Sequence, residues 1–285
     1  MTVSRRAFVT GALAFVGSDL TLQGAMAAQR RPAGPIGTDI GVVPELPAEL
    51  KQYSDRDDLN ATILKDFDVE TKGLQPALLA ERQTALAIVQ KVPSWSDQKM
   101  ITPYDVASFF LGVAQDRAGK YDSTWPGYMR AWPVRANPLI VEFFSQTTTK
   151  PAGDTTAWCS AFVNWCFVRS HTGRNDSGKS RAPTRDAASA SWRNWGTGMI
   201  FDKGKSTLRG GTPKVGDLVV FVDKGDSAHG HIAFYVDHND THVKVLGGNQ
   251  LEGQPVRHCI SEKLIPLWGN VLQIHSIRTD PALHA

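Results

Sequence analysis

The sequence predicts an α+β fold, with helices packed on an antiparallel sheet and a helical region in front of them. Three observations carry this. Apolar residues recur at helical spacing through the first half of the chain. Beyond Gly216 the pattern changes to short apolar runs and period-two alternation. His238-Asn239-Asp240-Thr241 is a strong turn signal between two of those runs.

At 285 residues the chain can form one large or two modest domains, and 41% apolar with 21% charged residues is an ordinary globular composition. A net charge of +3 does not call for a nucleic-acid partner. Ser4-Arg5-Arg6-Ala7-Phe8 is a twin-arginine pattern, followed by an apolar run from Ala7 to Gly17 and the small-x-small site Ala25-Met26-Ala27. That run is about half of the roughly 20 residues a bilayer span needs. Residues 1–27 therefore read as a cleaved export signal with no retained membrane anchor, which makes the protein periplasmic or secreted. Three cysteines allow at most one bridge and leave a free thiol, a feature worth attention in an exported protein.

Residues 28–47 are rich in Pro, Gly and Arg and read as a linker. Residues 48–135 form the helical region. Leu78, Leu79, Arg82, Ala85, Leu86 and Val89 share one spacing, and Val106, Phe109, Phe110 and Val113 repeat it after the start signal Thr102-Pro103. Tyr121 to Ala136 reads as an aromatic bridging loop. Residues 136–280 hold the remaining elements: helices at Pro138–Phe144, at the stretch following Asp154, and at Ala187–Trp195. Gly196–Pro213 is glycine-rich. Strands follow at 217–222, 231–236, 242–246, 256–260 and 271–277.

The chemistry centres on DTTAWCSAFVNWCFVRSH, residues 154–171. Asp154, Thr155 or Thr156 can cap a helix there, placing Cys159 in or just beyond its first turn. Free N–H groups and the helix dipole favour a thiolate at that end and can stabilise an oxyanion. Position alone leaves Cys159 equally open to being a small core residue. Cys166, two turns on, and Cys259, in a strand, read as structural, and a Cys166–Cys259 bridge stays open.

A cysteine nucleophile needs a base, and the base needs orienting. With Asn239 and Asp240 at the turn centre, His231 falls opposite Gly248 and Asn249 lies one residue away. His231 then shares a strand face with Ala233 and Tyr235, while Ile232, Phe234 and Val236 share the other. Gly230, Gly247 and Gly248 would keep the backbone open to a substrate chain. The rival reading is a metal site built on His229-Gly-His231 with Asp223, Asp226 or His238, but an H-x-H spacing alone is a weak signal. No metal and no organic cofactor is expected.

Together AWCSAFVNW (157–165), SWRNWG (191–196), KVGDLVVF (214–221), GHIAFYV (230–236) and VLGGNQ (245–250) resemble the CHAP (cysteine, histidine-dependent amidohydrolase/peptidase) family, a relative of the NlpC-type cell-wall peptidases. The resemblance covers roughly residues 136–280. It implies a papain-like catalytic domain that cleaves an amide bond in peptidoglycan, with Cys159 as nucleophile, His231 as base and Asn249 as orienting residue. Trp158, Trp192, Trp195 and Gly248 would line or support the cleft, with core packing equally open to Trp192 and Trp195. Many family members carry a glutamate two positions before the asparagine, where this chain has Gly247. The wall polymer is then the expected partner, and no nucleic acid is.

Overall fold

Two of the described helices start at capping residues that the sequence supplies, Thr102 and Asn137. The computed structural model describes residues 76–284 apart from 96–98, 117, 133–136, 150, 152–155, 173–181 and 253–256. The expected export signal, the linker and the first part of the helical region lie outside the described residues. Helix α1 spans Pro76–Lys91 and α2 spans Pro103–Ala114. Thr102 caps α2: its Oγ1 accepts from the Asp105 N–H, and the Asp105 carboxylate accepts from the Thr102 N–H at 2.8 Å. Asn137 caps the short α3, Pro138–Phe143, through the Leu139 N–H. Helix α4 spans Cys159–His171. The helix expected at 187–195 is only a 3₁₀ turn, Ser189–Trp192: the Ala188, Ala190 and Trp192 carbonyls accept from N–H groups three residues on, and Trp192 is pinned to α4 through Ser160. The bridging loop likewise holds a 3₁₀ turn, Trp125–Met129.

The strands are β1 Thr197–Phe201, β2 Leu208–Arg209, β3 Leu218–Asp223, β4 Gly230–His238, β5 His242–Glu252, β6 Arg257–Pro266 and β7 Leu272–Thr279. They form one sheet in the order β2-β1-β7-β3-β4-β5-β6, with antiparallel neighbours throughout. The glycine-rich stretch thus contributes two strands that its composition hides. Of these, β1 pairs with β7 from far along the chain, a long-range contact that local propensity does not encode, and β2 pairs with β1 at the edge.

Alternation along β3 and β4 assigns the two faces of the sheet. Leu218, Val220, Ile232 and Phe234, with Leu246 and Ile260, bury against the helices, while Val219, Phe221, Ala233, Tyr235, Val243 and Val245 form a second core on the other face. The helix-side core crosses the expected boundary at 135/136. Phe110 of α2 packs edge-on against Phe143 of α3 and against Phe162 and Trp165 of α4, at 5.4, 5.8 and 5.6 Å between ring centroids. Arg169 of α4 donates to the Val92 carbonyl just past α1. All described residues fall in one compact unit.

The β4–β5 register departs from expectation. Asn239 closes a longer loop, its Oδ1 accepting from the Thr241 and His242 N–H groups, so His238 pairs with Val243. An irregularity between Tyr235 and Asp237 takes back one residue, and Phe234 pairs with Leu246. The strands therefore meet one residue later than the turn alone predicts, and a Cβ placed on Gly247 would lie 2.7 Å from that of Ala233.

Candidate active site

Cys159 is the first residue of α4, and the residue in the cap position is Trp158, which makes no side-chain capping bond. Of the three expected caps, Asp154 and Thr155 lie outside the described residues, and Thr156 lies three residues before the helix. Trp158 is instead held by packing: fully buried, it stacks on Phe143 at 6.0 Å and meets Phe162 edge-on. This anchors the helix start to the core and aims Cys159 at the sheet.

The thiol meets the beginning of β4. The Ile232 N–H donates to the Cys159 sulfur, and the amides of Ser160 and of Cys159 itself also point at it. These donors favour a thiolate, but Cys159 is only 3% exposed, and the loss of solvent outweighs them, so its pKa is raised. The helix start alone predicts the opposite direction. Cys166 and Cys259 are also buried, burial pushes both thiols up (Cys259 to about 12), and all three cysteines are free. The Cys166–Cys259 bridge is not formed.

His231 directly precedes Ile232, so the backbone places the imidazole and the thiol at the same end of β4. Its ring stacks on Phe221 at 6.2 Å, on the face of Ala233 and Tyr235. Burial, reinforced by the positive charge of Lys263 and by His258, holds its pKa down to about 3. Its Nε2 is buried without a hydrogen-bond partner. Burial therefore favours the neutral form of each group, the thiol of Cys159 and the imidazole of His231.

Asn249 sits at the irregularity between Gly247 and Gln250 where β5 pairs with β6, with φ of 61°. Asparagine tolerates this left-handed conformation better than most residues. Its carbonyl accepts from the His258 imidazole, whose own pKa is held to about 4, chiefly by burial. His258 is a site neighbour that sequence reasoning passed over. Its closeness to His231 depends on the β5–β6 pairing of Leu251 with His258, and that register has no local signature.

The residues expected to line the cleft mostly support it from beneath. Trp192 is fully buried, and its Nε1–H donates to Ser160 Oγ at 2.8 Å, tying the 3₁₀ turn to the first turn of α4. Trp195, partly exposed, packs edge-on against Trp192 at 5.2 Å. The glycines do not open the backbone to a substrate. A Cβ on Gly248 would lie 2.8 Å from Trp158 Cε3, closer still to Cζ3, and 3.0 Å from Phe162 Cγ. Gly248 is thus where β5 passes close under α4. His229, half of the alternative metal pair, is bound to Asp226 at 2.8 Å in an exposed loop, and His238 bonds to the Tyr235 hydroxyl.

A cysteine starting a helix that lies on an antiparallel sheet, with a histidine near the start of a strand beneath it, belongs to a mixed α+β domain. Residues 151–249, about a third of the chain, match the family model of the CHAP domain, and this span holds Cys159, His231 and Asn249. Proteins with this domain are in general amidases or peptidases acting on peptidoglycan. No curated protein and no solved structure matches the chain.

Proposed function

We propose that the protein is an exported peptidoglycan hydrolase that cleaves an amide bond, either a muramoyl–alanine amide or a peptide cross-link. The observation that carries this reading is the meeting of the Cys159 sulfur with the Ile232 amide of β4, next in sequence to the buried His231, inside a CHAP-domain match. The twin-arginine pattern at Ser4–Phe8 supports export.

In the mechanism, substrate binding draws the thiol proton from Cys159 onto His231, and the thiolate attacks the scissile carbonyl. The Cys159 and Ser160 amides at the helix start would then stabilise the oxyanion. Collapse of the tetrahedral intermediate forms a thioester at Cys159, and the leaving amine takes the proton from His231. Water, deprotonated by His231, then releases the acyl group and restores the thiol. A resting neutral pair avoids a permanently ionised thiolate in a buried site, and it makes the first proton transfer depend on bound substrate.

The test is release of new amino groups from purified sacculi. Cys159→Ala should abolish it while the circular dichroism spectrum stays native. Undiminished release by that variant would overturn the assignment, and mass spectrometry of the digest identifies the bond cut. Sacculi that bind the wild-type protein yet never release amino groups would instead show a wall-binding protein built on the same fold.

A further inference from the structure

The two reactive groups sit on different elements, Cys159 at the start of α4 and His231 near the start of β4, and the 3₁₀ turn Ser189–Trp192 is bonded beside both. On one side, the Trp192 Nε1–H donates at 2.8 Å to the hydroxyl of Ser160, the residue after Cys159. On the other, Arg193, which closes the turn, donates from Nη2 to the Ser227 carbonyl at 2.5 Å and to the His229 carbonyl at 3.2 Å. Those carbonyls belong to the loop between β3 and β4, and His229 lies two residues before His231. With three residues per turn, neighbouring side chains on a 3₁₀ turn point about 120° apart, so consecutive residues can hold two separate elements.

Both ends of this link are fixed. Trp192 is fully buried, and the Ser160 hydroxyl that accepts from it donates in turn to the Asp186 carbonyl at 2.5 Å. At the other end the loop is shaped by Asp226, whose carboxylate accepts from the Ala228 N–H at 2.9 Å and bonds His229 Nδ1 at 2.8 Å. The loop enters β4 through Gly230, where a Cβ would overlap the Phe221 carbonyl. A displacement of the Ser227 and His229 carbonyls therefore has little slack in which to be absorbed before it reaches His231. The His231 ring stacks on Phe221 and its Nε2 has no hydrogen-bond partner among the described residues, so that stacking and the backbone set the position of the imidazole.

We infer that Arg193 is a positioning residue: with Trp192 it braces the loop that leads into His231 against the helix start that carries Cys159, and so sets the approach of imidazole to thiol. This rests on the reading of Cys159 and His231 as base and nucleophile partners. A guanidinium suits the task, since a charged donor makes stronger hydrogen bonds to carbonyls than a neutral one. The brace consists of two hydrogen-bonded arms in series, so releasing either arm frees the pair and losing the second adds little. Arg278 is a contrast within the same segment. It donates from Nε to the Trp195 carbonyl at 2.6 Å and from Nη2 to the Gly196 carbonyl at 2.8 Å, which ties the segment to β7 and to neither reactive residue.

Alkylation of Cys159 by iodoacetamide, located by mass spectrometry in the full chain, tests this, because the reagent takes the thiolate that His231 helps to form. Arg193→Gln should slow alkylation at least about tenfold, since a misaligned base forfeits part of a contribution of roughly 10²–10⁴. Trp192→Phe keeps the ring, loses the donor and should slow it similarly. The double variant should be little slower than the slower single one, whereas independent contributions would multiply. Arg278→Gln should lower the melting temperature and leave alkylation unchanged. Circular dichroism checks each fold, and Arg193→Lys, which keeps a charged donor and should slow alkylation less, replaces Arg193→Gln if that variant does not fold. Alkylation in a folded Arg193 variant as fast as in the wild type, or faster, overturns the inference. So does slowing in Arg278→Gln equal to that in Arg193→Gln, or a double variant whose effect is the product of the two singles. Failure of the underlying nucleophile–base reading would show separately, as alkylation unchanged in His231→Ala.

Discussion

His231 and His258 are the two histidines whose burial contributes most to the acid response of this protein. Both are held neutral by burial, at about 3 and about 4, against roughly 6.5 in an unfolded chain. Below pH ~6.5 the unfolded chain binds protons that the folded site refuses. Their contribution is therefore fully present above that pH and is lost as the pH falls toward the folded values. Urea unfolding of the wild type should show stability declining from about pH 6.5 toward pH 3, and His258→Gln should flatten part of that decline. Equal slopes in the two proteins would contradict the burial of His258. Cys159 and His231 could be picked out as residues from the sequence. Their protonation states could not, because the helix-start donors that lower a thiol pKa are visible in sequence, whereas the desolvation that outweighs them is a tertiary property.

At the scale of elements, the site depends on how closely α4 approaches β5. Gly248 permits that approach, with Trp158 and Phe162 filling the space a side chain would need. Gly248→Ala should destabilise the protein by roughly 1–3 kcal/mol, in the range of overpacked cores. It should also reduce amino-group release from sacculi, because relief of the clash must shift either Trp158, next to Cys159, or the strand that carries Asn249 and Gln250. Thermal unfolding and sacculus digestion of the purified variant check both; a variant with the wild-type melting temperature would show that the contact relaxes without cost. The small residues before the asparagine were legible as unusual, but the reason for them was not, since an empty Cβ position looks the same whether substrate or tryptophan occupies it.

For the whole molecule, the helices of the 48–135 region that the structure describes share their core with the site helix. Phe110, fully buried, touches Phe143, Phe162 and Trp165. Phe110→Ala should cost roughly 3–5 kcal/mol. Tryptophan fluorescence and far-ultraviolet circular dichroism should then shift together in urea, since Trp165 lies in the same core as α2. Separate transitions would show instead that α2 unfolds independently of the site. The end of the chain is tied in similarly: His284 bonds to the buried Asp217 at 2.8 Å, and Asp217 accepts from the Lys214 N–H in the turn before β3. No described helix is long and apolar enough to cross a membrane.

The sequence by itself determined the change from helices to an antiparallel sheet, the start of α2 at Thr102-Pro103, the faces of β4 and the candidate pair Cys159 and His231. Those are written in period, capping residues and turn chemistry, which act over a few positions. Tertiary structure alone decided the rest. It drew β1 and β2 from a glycine-rich stretch by pairing β1 with β7, shifted β5 by one residue against β4, and put Trp158 and Trp192 under the site. It also tied Arg193 to the loop before His231 and joined α2 to the core of α4. Each depends on groups distant in sequence competing for one volume, and local pattern does not record which of them fills it.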